Sequence, residues 1–398
     1  NARRLAKSRS LMRSMTSTST ARGSSSPVRP TRRSAGLVAA QRSMCGATAV
    51  SNACQARSRS ALADGAAASP DLEAQVAAAV TASLASFRLV AATETAWRRP
   101  APVDDGALAA FVAANVITLG PGQYALRGPA ARLRAALDAR LARLAAEVDA
   151  EPWHLPSIES TSDLLRLTGY FSSHPQHVTW GFHLPPHFDE LKRFAHDARA
   201  DGLAAPPPER AQPTGFILEP FVCHNVYRAL RGARLPHGQA ITALGNSYRY
   251  EGHRFAPLER QWEFSMREAV LLGERDYVVA TRARLIELTQ ALCAELDLDA
   301  ALEVATDPFF AAAAASLRTF QAMRSTKLEL RLAIGGGATV AAASFNLHGG
   351  CFATPMDIRR GDDLAETACV GWGLERWMAA VVTRWGGDPA RWPAALRG

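Results

Sequence analysis

A chain of 398 residues is long enough to bury one large core or two, so length alone is compatible with an enzyme of ordinary size. The formal charge of +8 suggests a nucleic-acid binder, but of the 45 Lys/Arg twelve lie in residues 1–60, which hold no Asp/Glu. The other 338 residues carry 33 basic and 37 acidic groups, so the body of the protein does not have the charge of a nucleic-acid-binding surface.

Residues 1–68 are rich in Ser, Arg, Thr and Ala and predict a disordered basic extension. An organelle targeting segment and upstream coding sequence ahead of the true start both fit that composition. Residues 69–97 predict a helix, which Arg98-Arg99-Pro100-Ala101-Pro102 closes as a linker reaching to 105. A globular domain over 106–398 follows. It begins with a short helix, a turn at Gly120-Pro121-Gly122 and a short strand at 124–126. Leu133, Leu137, Leu141, Leu144 and Val148 then line one side of a helix over 129–149, ended by Pro152 and Pro156. Residues 214–227 and 239–250 predict strands, 278–294 an amphipathic helix, and 310–323 an Ala-rich stretch. Strands at 328–334 and 339–346 flank Gly335-Gly336-Gly337, and Leu374, Trp377, Met378, Val381 and Val382 mark a last helix. Helices interspersed with hairpin-type strands predict an α+β fold with an antiparallel sheet flanked by helices. No charge-free apolar run is long enough for a membrane span. Six cysteines without a CxxC pair fit a reducing, cytoplasmic setting.

The chemistry concentrates between 248 and 268. Tyr248-Arg249-Tyr250-Glu251 is followed by a loop of eight residues and then by Arg260, Phe264 and Glu268, four apart. On a hairpin, period-two alternation puts Arg249 and Glu251 on one face of one strand, and Arg260, Phe264 and Glu268 on one face of its partner. Such a convergence suits a nucleotide, with guanidinium groups for phosphate, a ring for the base, and carboxylates for amino groups or metal. A spacing of four also lines one side of a helix, and spacing alone leaves both arrangements open.

This order of aromatic, Arg, any residue, Glu, loop, Arg, Phe and Glu resembles motif 2 of the class II aminoacyl-tRNA synthetases. Further on, Cys369-Val370-Gly371-Trp372-Gly373-Leu374-Glu375-Arg376 resembles motif 3, where glycines admit the nucleotide and an Arg at a helix start reaches a phosphate. The helix at 129–149 leading to Leu155-Pro156-Ser157-Ile158 resembles motif 1, which implies a homodimer. Cys369 replaces the first glycine of motif 3. That departure resembles the zinc-dependent, archaeal-type seryl-tRNA synthetases and, more closely, the amino acid:carrier protein ligases that share their catalytic core.

The resemblance implies a zinc ion held by Cys223, Glu268 and Cys369, with a fourth position open to the substrate's α-amino group. Taken singly, each cysteine reads as a buried apolar residue, and Cys293 and Cys351 keep that reading. His224 and His348 are decoys, since either could be put forward as a ligand on chemistry alone. The implied nucleotide contacts are Arg249 to the α-phosphate and the amino-acid carboxylate, Arg376 to the γ-phosphate, Phe264 to the adenine face and Glu251 to the adenine amino group. Arg260 helps fix the triphosphate. Lys327 is either a phosphate contact or a solvated charge at a strand start. Asp307-Pro308-Phe309-Phe310, Lys327-Leu328-Glu329-Leu330 and Ser344-Phe345-Asn346-Leu347-His348 also match the ligases, and 301–323 corresponds to their helical insertion for docking the carrier. The expected reaction consumes ATP with Mg2+, yields AMP and pyrophosphate, and activates glycine or alanine as an adenylate. The acyl group then passes to the phosphopantetheine thiol of a carrier protein. A tRNA-binding module is not evident ahead of the domain. Charging of tRNA by a seryl-type synthetase, and a non-catalytic paralogue, are the alternatives.

Overall fold

A computed structural model describes residues 95–397 except 168–169, 203–204, 253 and 306–325, all within the compact unit Ala85–Gly398. The extension over 1–68, the helix expected from 69 to 94, the Asp307-Pro308-Phe309-Phe310 segment and the Ala-rich stretch lie outside the described residues. Eight strands build the central sheet: β1 Thr95–Arg99, β2 Glu151–Pro152, β3 Gln239–Tyr248, β4 Glu263–Gly273, β5 Ala300–Val304, β6 Lys327–Gly335, β7 Ala338–Gly349 and β8 Glu366–Gly373. Their order across the sheet is β1-β5-β6-β7-β8-β4-β3-β2, antiparallel except for the short pairing of β2 with β3. Two hairpins, β3–β4 and β6–β7, are thus joined edge to edge by the last strand, β8. The expected α+β architecture is present.

Strand alternation gives this sheet two different faces. Ala269 and Leu271 of β4, Val370 and Trp372 of β8, Leu330 and Leu332 of β6 and Phe345 of β7 enter one core. Helices α1 Pro129–Ala146, α3 Arg275–Glu295 and α4 Leu374–Trp385 close it, with Leu133, Leu137, Leu141, Leu285, Leu292, Trp377 and Val381 buried. Arg267 of β4 pins α1 through two hydrogen bonds of 2.9 Å to the Asp138 carboxylate, and Trp377 Nε1 donates to Ala342 O at 3.1 Å. On the other face, Ile241, Ala243, Val270, Leu272 and Cys369 pack against the short helix α2 Cys223–Ala229 through Val222, Val226 and Tyr227. A three-stranded sheet of Ile158–Ser160, Gln212–Leu218 and Trp180–His183 stands apart from the central one. No described helix is long and apolar enough to cross a membrane.

Two local expectations are corrected, and one strand is added after the expected short helix Ala107–Asn115. Residues 95–99 are neither a helix end nor a linker but strand β1, paired with β5; Pro100 holds Arg99 extended, and Arg99 is anchored to Asp297 at 2.6 Å. The segment over 214–227 is a strand only to Leu218. Pro220 has no N–H to continue a ladder, and beyond it Val222 and Val226, four apart, bury one side of helix α2. Before the turn at 120–122, Val116–Gly120 is a strand that pairs with Gln123–Leu126, as its β-branched Val116, Ile117 and Thr118 favour.

Leu137, fully buried between α1 and the sheet, tests this packing. Leu137→Ala should lower the unfolding free energy by about 2–5 kcal/mol, read from denaturant melts.

Candidate functional site

The face of the sheet away from the long helices carries the polar chemistry. Alternation brings Phe264, Met266 and Glu268 of β4 to this side, and the register sets Glu268 opposite Gly371 and Val270 opposite Cys369 on β8. Asn346 of β7 lies opposite Cys369 from the other flank. Gly245 of β3 lets α2 descend onto the sheet, because a Cβ there would lie 2.9 Å from Val222 Cγ2. The Cys223 backbone N–H then donates to Glu268 Oε2 at 3.0 Å. One donor atom from each of Cys223, Glu268 and Cys369 lies within 4.8 Å of the others, and all three residues are buried. Both thiols are free.

These groups perturb one another. The shared hydrogen bond raises the Cys223 pKa well above that of an ordinary thiol and lowers that of Cys369 well below it; burial also raises Cys223, while His348 and Asn346 help to hold Cys369 down. Burial, then the charge of Cys369, pushes Glu268 up to about 8. Two sulfurs and a carboxylate crowded out of water are costly as anions unless a cation sits among them. That donor set is the soft and borderline one that suits Zn2+. The residues present therefore fit the expected metal.

Beyond this cluster lies a cationic region. Arg249, just past the end of β3, continues the ladder through its N–H to Trp262 O at 2.8 Å. Its Nε donates to Pro220 O at 3.1 Å, and its guanidinium carbon lies 4.4 Å from the Phe221 ring centre and 5.3 Å from that of Phe264. Arg376, in the first turn of α4, donates to Glu259 O and Ala341 O, both at 2.8 Å. Burial, then the charges of Arg249 and Arg260, depress its pKa to about 10. Its bond to Glu259 O sets it beside Arg260, and Arg249 meets the far end of the same loop at Trp262 O, so three guanidinium groups share one region. Lys327 is mostly buried and pairs with Glu329 at 3.2 Å, which removes the reading of a solvated charge.

The expected hairpin carries Phe264 and Glu268 on one strand face, but Arg249 lies just past the end of β3, and Arg260 lies on the loop between β3 and β4, bridged to Ala256. Glu251 is also on that loop, ion-paired with Arg260. The loop's own short bridge satisfies backbone groups that a longer hairpin ladder would otherwise pair. Of the two histidines, His224 is buried and spent on Glu159 at 3.1 Å, whereas His348 Nε2 lies 3.6 Å from Cys369 Sγ. Cys293 is buried in the core, but Cys351 is exposed, contrary to expectation.

Several neighbours carried no signal in the sequence. The Tyr170 hydroxyl meets His177 Nδ1 at 3.1 Å, and His177 O accepts from the Tyr250 N–H at 3.1 Å, tying this segment to the loop of Arg260. Burial, then Arg249, His174 and Arg260, lowers the His177 pKa to about 4, so it is neutral at physiological pH. Glu159 and Glu219 are buried, each with an Oε1 that lacks a hydrogen-bond partner among the described residues. Burial, then the charges of Glu159 and Glu268, pushes Glu219 up to about 10. The only local hint was the position of Glu219 at the start of Glu219-Pro220-Phe221-Val222-Cys223.

No family model matches the chain. Among curated proteins, amino acid–[acyl-carrier-protein] ligase 2 of Bradyrhizobium diazoefficiens is 31% identical over 259 residues, covering 63% of this chain and 75% of the relative. Ligase 1 of the same organism is 28% identical over 257 residues, 63% of this chain and 76% of the relative. The type-2 serine–tRNA ligase of Methanopyrus kandleri is 27% identical over 297 residues, 70% of this chain but 56% of the relative. Among solved structures, M. kandleri seryl-tRNA synthetase in complex with Aquifex aeolicus tRNASec superposes with a TM-score of 0.68 at 21% identity, over 83% of this chain and 69% of that one. Pyrococcus horikoshii seryl-tRNA synthetase complexed with ATP gives 0.54 at 12% identity, over 75% of this chain and 62% of that one. These superpositions establish the fold.

Glu219 makes stability depend on pH in a definite direction. In the unfolded chain it ionises near 4.5, whereas in the folded protein it keeps its proton up to about 10. Its contribution is therefore present below 4.5 and is lost as pH rises towards 10. Glu219→Gln should remove that loss, so the variant gains on the wild type by up to about 4 kcal/mol between pH 5 and pH 8 in denaturant melts.

Proposed function

The chain belongs to the amino acid–[acyl-carrier-protein] ligase family, and from that premise we propose that it activates glycine or alanine with Mg·ATP and transfers the acyl group to a carrier protein's phosphopantetheine thiol. The observation that carries this reading is the convergence of Arg249, Arg260 and Arg376 above a sheet face that also presents Phe264 and the Cys223–Glu268–Cys369 group. Three guanidinium groups gathered in one region suit a polyanion, and the aromatic face beside them suits its base.

In this reading Arg249 orients the amino-acid carboxylate against the α-phosphorus. Pro220 O and the Phe221 ring fix its guanidinium before substrate arrives, so little reorganisation is left for the reaction. Arg376 holds the γ-phosphate, its Nε and Nη1 already committed to the carbonyls of Glu259 and Ala341. Arg260 and Lys327 steady the phosphates, while Phe264 and Glu251 take the adenine ring and its amino group. In-line attack breaks the bond to pyrophosphate, and catalysis is positioning plus charge stabilisation. Cys223, Glu268 and Cys369 would hold a zinc ion, which would supply a Lewis acid for the substrate's α-amino group. Attack by the carrier thiol on the acyl carbon then forms the thioester and releases AMP. Association of two copies is supported by the exposed apolar residues of the smaller sheet, Ile158, Trp180, Phe182 and Phe216.

Amino-acid-dependent exchange of pyrophosphate into ATP tests the first step, and offering labelled amino acid to both holo carrier protein and tRNA tests the second. Exchange with label on the carrier is expected. Label on tRNA alone replaces the reading with a tRNA charger, and absence of exchange replaces it with a non-catalytic paralogue. Arg376→Ala should slow exchange about 100- to 1,000-fold, as loss of one preorganised charge donor does. Cys223→Ala and Cys369→Ala should each abolish stoichiometric zinc in the purified protein. Unchanged metal content in both variants rules out the metal assignment.

A further inference from the structure

Cys369 is approached by two side chains that the activation chemistry leaves unused. Asn346 Nδ2 donates to Cys369 Sγ at 3.4 Å, and His348 Nε2 lies 3.6 Å from the same sulfur. Both come from β7, with Asn346 directly opposite Cys369 in the register and His348 at the irregularity that follows, between Leu347 and Gly349. The histidine is held from behind. Its Nδ1 faces the hydroxyl of the fully buried Tyr227 at 3.5 Å, and the Phe352 ring packs edge-on against it at 4.6 Å while stacking on Tyr227 at 4.7 Å. With the tyrosine O–H donating to Nδ1, the imidazole proton sits on Nε2 and points at the sulfur.

His348 does not join the group of Cys223, Glu268 and Cys369, whose donor atoms all lie within 4.8 Å of one another. Its geometry is that of a donor to a ligand and not of a ligand. An N–H directed at a thiolate does two things: it fixes the lone pair that faces the metal, and it draws off charge that the sulfur would otherwise give to the cation. A divalent ion held by two thiolates and a carboxylate is already well supplied with charge and would bind an amine weakly. Hydrogen bonds to one of the sulfurs restore its appetite for a fourth donor.

We propose that His348 and Asn346 are positioning residues for Cys369, two N–H donors that orient its sulfur and restrain its charge donation, so that the bound cation accepts the substrate's amino group. This rests on the metal assignment of the preceding section. Neither residue is among the proposed nucleotide contacts, so the effect belongs to metal affinity and to the amino acid. The affinity for ATP is left alone.

The test uses the full-length protein with zinc or cobalt(II) bound. His348→Ala should weaken zinc binding about 10- to 100-fold in chelator competition, the range seen when such outer partners are removed. It should also raise KM for the amino acid in pyrophosphate exchange without changing KM for ATP. The cobalt(II) form should show its thiolate-to-metal charge-transfer band at longer wavelength, because a sulfur without its N–H donors gives up electrons more easily. Asn346→Ala should move the band in the same direction. His348→Gln, whose amide can place an N–H in the same region, should recover part of each effect, and Tyr227→Phe should give a smaller shift by loosening the ring; these two variants serve if His348→Ala fails to fold. An unshifted band together with unchanged zinc affinity in folded His348 variants overturns the proposal. So does loss of a nitrogen ligand in the cobalt spectrum, which would make His348 a direct ligand. If the wild type binds no zinc, or Cys369→Ala retains it, the metal assignment fails and this proposal with it; if Cys369→Ala loses zinc while the His348 variants are unaffected, only this proposal fails.

Discussion

The pairing of β8 between β7 and β4 is the constraint on which the site depends. It brings together two hairpins that the chain makes separately, and its register decides what meets what. Cys369 falls between Asn346 and Val270, Gly371 faces Glu268, and the strand runs straight into α4, where Arg376 turns over the sheet. A slip of one residue would send Cys369 into the helical core and Trp372 into the site. The register is fixed by burial: Val370 and Trp372 fill the core on one side while the small Gly371 and Gly373 on the other leave room for Met266, whose Cε would lie 2.8 Å from a Cβ at 371.

The same two-sidedness explains why a folded, well-packed protein can keep so much charge on one surface of a sheet. Hydrophobic burial is supplied by the opposite face, where α1, α3 and α4 lie on Leu271, Val370, Trp372 and Leu330. The other face carries a smaller apolar core under α2 and has room beside it for polar groups. It carries buried acids, paired thiols and guanidinium groups whose pKa values are displaced by burial and by one another, as at Glu219, Glu268 and Arg376.

Much of this was legible in the sequence because two kinds of pattern are local. The apolar spacing of Leu133, Leu137 and Leu141 marked α1, and Arg249, Phe264, Glu268 and Arg376 sit in short stretches whose resemblance to known motifs outweighed the ambiguity of their spacing. What escaped depends on contacts across long separations. Nothing near Tyr170 or His177 indicates that they meet the loop of Arg260, and nothing near Glu159 indicates a buried histidine partner in His224, 65 residues on. Strand β1 is not legible locally, because its Ala-rich approach has helical composition, whereas the pairing with β5 that makes it a strand lies about two hundred residues away in sequence. The chemistry of His348 gives no sign in the sequence of its 3.6 Å approach to Cys369, which depends on the pairing of β7 with β8.

The ends of the central sheet have their own significance. Among the described residues one margin is β1, where Arg98 and Arg99 are clamped to Asp299 and Asp297 and Pro100 stops the strand. The other is β2, a mere two residues of which one is proline. One margin is thus short and closed by proline and the other shorter still, which limits how far another chain could extend the sheet.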